Sequence, residues 1–469
     1  MSKTWAIARL MIAEGLRMKI ALVFLVLIAA VLLGLPFATR GESSLTDAVQ
    51  SFMSFGLSAT ALLLSMLTIF MSRSLSDELV SQQIFLTMTK PIPRWQYVLG
   101  KWVGMMVLNL AFLSVSALTI YGMVRYIKAT HPPSDARYDE KKLANEVLVA
   151  RAAITATLPD FTEDAELEFQ RNVEEGRYAN VPADFDLEAE KKSLRTKHEM
   201  KWRVVGPGNG RVFEFENILC KRAPDAYVQL RYKAEVTGYP PDEIFRAYWE
   251  FGDPFKNVSV YSTATRHVVG RYHTIRIPTS AIADDNTLQV RFFNQNRFKG
   301  ERQWGNVIEF RRSDPVEILF TVGSFEWNMV RLLSLIMFKL MFLGAVALLC
   351  TTVFSFPVAC LASFTVYVLA GMRSFITESV AMNSKTFSGM FESITQFVVQ
   401  SFMHIYNLLH WIIPDFGRYD AVEQFVAGRN VGLAWVLQGF GDLVLIKTVV
   451  ILGLAMLLFH RREVAEVSF

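Results

Sequence analysis

The feature that most constrains this chain is a set of six apolar runs. Crossing a bilayer's hydrocarbon layer of about 30 Å takes roughly 20 mostly apolar helical residues, and each run approaches or meets that length. "IALVFLVLIAAVLLGLPF" (20–37), "FMSFGLSATALLLSMLTIFM" (52–71) and "WVGMMVLNLAFLSVSALTIYGMV" (102–124) lie early. "LLSLIMFKLMFLGAVALLCTTVF" (332–354), "PVACLASFTVYVLAGM" (357–372) and "LVLIKTVVILGLAMLLF" (443–459) lie late, the fifth being the shortest. The first lacks a small-residue cleavage site and is followed by further spans, so it is expected to stay as an anchor. Over the 469 residues the hydrophobic share is 52%, above that of an ordinary soluble domain, and the excess sits at the two ends. A net charge of +4 is too mild for a nucleic-acid partner, and Cys220, Cys350 and Cys360 are too scattered for a disulfide framework or a zinc site.

Lysines and arginines near the spans set orientation, because they accumulate on the cytoplasmic side. Lys3, Arg9, Arg17 and Lys19 precede the first span; Arg73, Lys90, Arg94 and Lys101 fill the connection between the second and third; His460, Arg461 and Arg462 follow the last. With six spans all three groups share one side. Both termini are therefore expected in the cytoplasm of a multi-pass protein of the cell inner (plasma) membrane, with the region between the third and fourth spans extracytoplasmic.

The connection itself is organised. "SLSDELVSQQIFLTMTK" opens with Ser74 and Asp77 at capping-box spacing, carries Asp77 and Glu78 in its first turn and ends with Lys90, which predicts a short helix over about 74–90. Pro91 excludes helical geometry before it, and Pro93 suits the first position of the next helix, so two helices meet at a stiff corner. Trp95, Tyr97 and Trp102 suit the interfacial belt, with Arg94 and Lys101 expected on the aqueous side.

The run "LTMTKPIPRWQYVLGKWVG" (86–104) behind an acidic short helix resembles the cytoplasmic coupling segment of ABC transporter permeases of the ABC-2 class. "IIPDFGRYDAVEQFVAG", a last span and "FHRREVAEVSF" resemble the same class's final extracytoplasmic segment and arginine-rich terminus. The resemblance covers roughly residues 1–125 and 316–469. It implies one membrane half of an exporter, working with a second copy of itself or a related permease and with separate ABC ATPase subunits on the cytoplasmic face. Carried over by position, Asp77, Glu78, Gln82, Gln83, Lys90, Pro91, Pro93 and Arg94 are the candidate ATPase-coupling residues. The chain has no G-x-x-x-x-G-K-[ST] phosphate loop, so ATP and Mg would belong to the partner subunit, with no cofactor and no catalytic residue on this chain.

The middle is polar. Leu143, Val147, Ala150 and Ile154 form a helical stripe, and "DLEAEKKSLRTKHEMKW" continues the helical reading over 135–202. From 203 to 318 strands take over. "AYVQLRYKAEV" alternates, with Val228, Leu230, Tyr232, Ala234 and Val236 on one face, and "FRAYWEF", "YHTIRI" and "NTLQVRFFN" repeat the pattern. The expected fold is thus a polytopic α-helical membrane protein of six transmembrane helices. A large extracytoplasmic α+β domain, helical insertion plus antiparallel β-sandwich, lies between helices three and four. Its parts are an N-terminal membrane part (1–129), the extracytoplasmic domain (130–318) and a C-terminal membrane part (319–469).

Intramembrane polar residues mark a possible substrate path. Lys339 and Lys447 fall inside the fourth and sixth runs near their outer boundary, where snorkelling competes with pairing to Glu378 or Asp442 or to a lipid head group. Glu392, Gln396, Gln400, His404 and Asn407 recur at helical spacing and predict an amphipathic helix over about 391–413, lying on the outer membrane surface or partly re-entering beside the transport route. The histidines lack the i, i+4 spacing of a helical metal pair, Asn257-Val-Ser259 is a bare glycosylation tripeptide, and Gly100 and Gly104 match G-x-x-x-G. Export is the leading function; a force-transmitting complex that moves no solute and a membrane-anchored binding receptor are the alternatives.

Overall fold

The computed structural model describes residues 3–17, 19–38, 44–81, 93–130, 136–178, 186–220, 222, 226–237, 243–256, 258–296, 307–311, 313, 316–383 and 413–461, of which 136–138 and 374–383 are described by their backbone only. The chain divides into two compact units, Met1–Ala150 with Ser324–Phe469, and Arg151–Gly323.

The first unit is helical. Its amphipathic helix α1 (Lys3–Arg17) buries Ile7, Ala8, Met11 and Gly15, the i, i+4, i+8 pattern of one helix face. α2 (Lys19–Ala38) is apolar all round and largely exposed, as suits a helix facing lipid. α3 (Leu45–Met71) starts where Asp139 accepts hydrogen bonds from the Leu45 N–H (3.1 Å) and the Ser44 hydroxyl (3.2 Å), a carboxylate on the positive end of a helix. α4 (Arg73–Val80) follows almost without a break, since Ser72 between them is itself helical. α5 (Arg94–Thr130) is the third long apolar helix. After the short α6 (Ala136–Lys142) and a π turn (Leu143–Val147), the chain leaves this unit. Among the described residues six helical segments are long and apolar enough to cross a membrane, bounded as Lys19–Phe37, Leu45–Val80, Arg94–Thr130, Phe325–Val353, Phe356–Arg373 and Leu433–Arg461. Five of the six expected runs fall within one of them, and the fourth (332–354) overruns its helix by the single residue Phe354.

The second unit holds all but the first two residues of β1 (Val149–Thr155), α7 (Thr162–Glu174), α8 (Leu187–Trp202), β2 (Val204–Val205), β3 (Gly210–Phe215), β4 (Tyr227–Lys233), β5 (Glu235–Thr237), β6 (Ile244–Phe251), β7 (Tyr261–Val268), β8 (Tyr272–Pro278), β9 (Leu288–Asn294), β10 (Val307–Glu309) and all but the last residue of β11 (Glu317–Ser324). Two four-stranded sheets, ordered β1-β11-β4-β8 and β3-β9-β6-β7, and a three-stranded sheet β2-β10-β5 make up the strands. The registers β4–β8, β6–β9 and β6–β7 are antiparallel. Alternation put the right residues inside. Val228, Leu230 and Tyr232 of β4 share one core with Phe245, Ala247, Trp249 and Phe251 of β6, and Trp249 lies 4.6 Å from Tyr232 and 4.7 Å from Phe292, ring to ring.

The helical stripe expected through Ala150 and Ile154 is corrected here: from Val149 the chain is a strand beside β11. Residues 150 and 154 satisfy a period of two as well as one near four, and a place in a sheet decided between them. The chain returns to the first unit through α9 (Phe325–Val353), α10 (Phe356–Asn383), the short α11 (Val422–Val426), and α12 (Leu433–Gly439), which runs through a π segment (Phe440–Thr448) into α13 (Val449–Arg461). The amphipathic helix expected over 391–413, Ile413 excepted, and Asn257 of the glycosylation tripeptide lie outside the described residues.

Candidate functional site

At one end of the first unit a lysine is buried among carboxylates. Lys101 on α5 is wholly inaccessible, although it was expected on the aqueous side with Arg94. Its three ammonium protons meet three acceptors: Glu14 Oε2 on α1 (2.8 Å), Ser74 Oγ on α4 (2.8 Å) and Glu78 Oε1 on α4 (2.6 Å). Ser74 in turn donates to Glu14 Oε2 (2.5 Å). A buried ammonium needs such pairing, and here the pairing ties three helices together. Burial alone would push the Glu14 carboxyl up, but the Lys101 charge and the hydrogen bonds from Lys101 and Ser74 outweigh it and hold the group below the usual carboxylate range.

Close packing of α1 on α5 makes this geometry possible. A Cβ on Gly100 would stand 2.7 Å from Ile7 Cβ and 2.9 Å from the Thr4 carbonyl oxygen, and one on Gly104 would stand 2.7 Å from the Ala8 carbonyl oxygen. Only glycine allows that approach, so the G-x-x-x-G pair seats α1 beside α5. Tyr97, one turn before Lys101, stacks on Phe459 of α13 at 5.8 Å, and Arg94 donates to the His460 carbonyl oxygen at 2.6 Å. The last helix thus joins the same end.

The expected coupling residues divide within this frame. Glu78 turns inward to Lys101, whereas Asp77 stays exposed and pairs with Arg73 at 3.2 Å. The capping box does not form: α4 has no free N-terminus because it continues from α3, and the Ser74 hydroxyl goes to Glu14 instead. Pro93 lies just before the first helical residue of α5, one place earlier than expected, and its carbonyl oxygen accepts from the Gln96 N–H at 3.0 Å. Gln82, Gln83, Lys90 and Pro91 lie outside the described residues.

A second polar cluster lies deep among α9, α10 and the last helix. Lys339 stands at the centre of the 29-residue α9, and Lys447 at the centre of the 29-residue segment Leu433–Arg461. Both were expected near a membrane boundary, because the apolar runs are shorter than the helices that contain them. From the centre, snorkelling has no short route to water. Lys447 pairs with Asp442 at 3.3 Å across the π segment, and Asp442 also accepts from the Tyr419 hydroxyl at 3.3 Å. Lys339 lies 5.9 Å from the Phe416 ring, and Phe416 packs on Phe342 (6.0 Å) and Tyr367 (6.1 Å). Residues 413–420 are therefore irregular backbone at the depth of mid-helix residues. Such backbone requires protein partners there: the Phe416 N–H donates to the Ala370 carbonyl oxygen (2.9 Å), and Arg373 donates to that of Ile413 (2.6 Å). Gln396, Gln400 and His404 lie outside the described residues, as does the side chain of Glu378.

Sequence reasoning missed Glu14, Arg373 and Tyr419. Glu14 had a signal: it is the one acidic residue in a helix otherwise basic and apolar. Arg373 and Tyr419 are placed by contacts distant in sequence and had none. Among the described residues no group of three His, Cys, Asp or Glu side chains gathers to hold a metal. No protein-family model matches the chain, and no curated protein matches it as a relative.

Proposed function

We propose that this chain is the permease subunit of an ATP-driven, ABC-2-type export complex of the plasma membrane, with both termini cytoplasmic and the β-rich unit extracytoplasmic. Separate ATPase subunits supply ATP and Mg and dock on the cytoplasmic face at α4 and the corner behind it. A second copy of this chain or a related permease completes the pathway within membrane lipid. The observation that carries this reading is the Lys101 cluster, which ties α4 to both α1 and α5. A docking helix fixed in this way passes a push to a membrane-spanning helix instead of flexing alone. The substrate path runs past Lys339 and Lys447, where Lys447 and Asp442 keep paired charge at mid-membrane depth. The self-contained β unit favours a second reading, a complex that transmits force to an extracytoplasmic partner and moves no solute.

Replacing Lys90-Pro91-Ile92-Pro93 by four alanines tests the coupling role. The variant should insert normally, bind its ATPase partner and lose at least about tenfold of transport-linked ATP hydrolysis, since alanines favour continuous helix where the two prolines are expected to set a stiff corner. Wild-type stimulated hydrolysis in the reconstituted variant would count decisively against that role.

A further inference from the structure

In the second unit, β3 is the edge of its sheet and lies beside a groove of about 430 Å³ lined by Thr157, Leu158, Trp202, Arg211, Val212 and Glu214 among others. The direction of its backbone follows from the ladder. The pairs Gly208 N–H to Asn294 O (2.9 Å) and Asn294 N–H to Asn209 O (3.0 Å), with the register Arg211↔Phe292 and Phe213↔Val290, turn the odd-numbered residues of β3 toward β9. Gly210, Val212 and Glu214 therefore point their N–H and C=O groups outward. The chain itself uses one of them: the Thr157 N–H donates to the Glu214 carbonyl oxygen at 2.7 Å, in a bridge one residue long. Beyond that bridge β3 meets no further strand among the described residues, and Val212 is 43% exposed.

Charge marks the same groove. The Arg211 guanidinium lies over the Trp202 ring at 5.5 Å and gives one N–H to the Val204 carbonyl oxygen at 3.1 Å, while its Nε is buried with no hydrogen-bond partner among the described residues. Glu214, at the far end, is already engaged by Gln289 at 3.4 Å. The buried Nε is closed to a ligand, but the exposed guanidinium end gives only that one hydrogen bond among the described residues, so the positive end has donor capacity left over, and the negative end has less to offer.

We propose that the β3 edge is a docking site for an extended peptide segment of a partner protein. The segment adds as a strand of about four residues along Gly210–Val212, in continuation of the bridge the chain makes at Thr157, and places an acidic side chain against Arg211. Backbone pairing supplies the attachment, and the Arg211–carboxylate contact selects acidic over basic segments. The assignment rests on the β unit alone and holds whichever side of the membrane that unit occupies.

The test uses the full chain in lipid nanodiscs and fluorescence anisotropy. The probe is a labelled octapeptide of alternating valine and threonine with one central aspartate, compared with the same peptide carrying lysine there. The aspartate peptide should bind at least about tenfold more tightly. Arg211→Gln should erase that preference. Val212→Pro should abolish binding while leaving the ladder to β9 intact, because the lost N–H is the outward one. N-methylating alternate amides of the peptide probes the same pairing without touching the protein, so a misfolded proline variant does not spare the proposal. Failure of both peptides to bind, or equal binding of the N-methylated one, overturns it and leaves Arg211 and the Thr157 bridge as devices that merely blunt an edge strand.

Discussion

At the scale of single residues, Lys101 and His267 carry the sharpest consequences. Lys101→Met removes the one cation that, among the described residues, pairs with two half-buried carboxylates, and breaking a buried pair on one side costs about 3–5 kcal/mol because the remaining charges lose their partner. The variant should unfold at a clearly lower temperature in detergent, and adding Glu14→Gln and Glu78→Gln should restore at least half the loss; equal stability of Lys101→Met and wild type would show that the cluster contributes nothing. His267 offers a pH test. Its Nδ1 lies 2.6 Å from the Tyr232 hydroxyl, its ring stacks at 4.2 Å on His273, and His273 Nε2 donates to the Val268 carbonyl oxygen at 2.7 Å. Burial first, and then the neighbouring His273, push His267 down to about 4. The folded state thus keeps this ring neutral while the unfolded chain protonates it near 6.5. Stability is complete above the unfolded value and is lost as pH falls from about 6.5 towards 4, by roughly 1–2 kcal/mol once discounted for a ring only half-buried. Hydrogen exchange of the β7 and β8 amides, corrected for intrinsic rates, should speed up between pH 7 and 5, and His267→Gln should flatten that dependence. A pH response unchanged in the variant would assign it elsewhere.

At the scale of elements, legibility followed the strength of the local pattern. Twenty-residue apolar runs have one plausible fate, so all six candidate spans could be read. Their ends could not. The fourth helix starts at Phe325 and the last at Leu433, each with polar residues in its first turns that hydropathy excludes and that contacts from other segments retain. At the head of α9, for example, Asn328 donates to the Arg429 carbonyl oxygen (2.8 Å) and accepts from the Val431 N–H (2.7 Å). That error moved Lys339 and Lys447 from mid-helix to an assumed boundary. Among the strands, β4, β6, β8 and β9 alternate over seven or eight residues and were legible. β11 was not, because its buried Ile318, Leu319 and Phe320 form a continuous run that merges with the approach to the next helix. The G-x-x-x-G pair shows the opposite case, a weak motif whose meaning appears only with its partner: nothing in Gly100 and Gly104 alone specifies that α1 is what lies against them. The coupling residues were legible as a group but not in their roles, since which of Asp77 and Glu78 turns inward depends on Lys101 one helix away.

At the scale of the whole molecule, the proposed orientation makes a claim that a single labelling experiment decides. The end of the first unit where Lys101 is buried also collects the starts of α1 and α5 and the end of α13, which brings together the basic groups around Lys3, Arg94 and Arg461. The opposite end holds the start of α3 with Asp139 and the start of α9 with the 429–431 segment. Lysine and arginine beside spans accumulate on the cytoplasmic side, and the proposed orientation puts the Lys3, Arg94 and Arg461 end there, while Arg125 and Lys128 late on α5, Lys141 and Lys142 on α6 and Arg331 early on α9 stand at the other. Along the chain the β unit follows α5, α6 and the π turn and precedes α9. After replacement of Cys220, Cys350 and Cys360, single cysteines at Phe255, which is 93% exposed, and at Ser280 should react with a membrane-impermeant maleimide on intact cells. Cysteines at Val80, which is 81% exposed at the end of α4, and at Val467 should react only after permeabilisation. Labelling at Val80 in intact cells would place the α4 corner outside, beyond reach of any cytoplasmic ATPase. It would remove the proposed coupling role while leaving the β3 edge free for its peptide on whichever side the unit then faces.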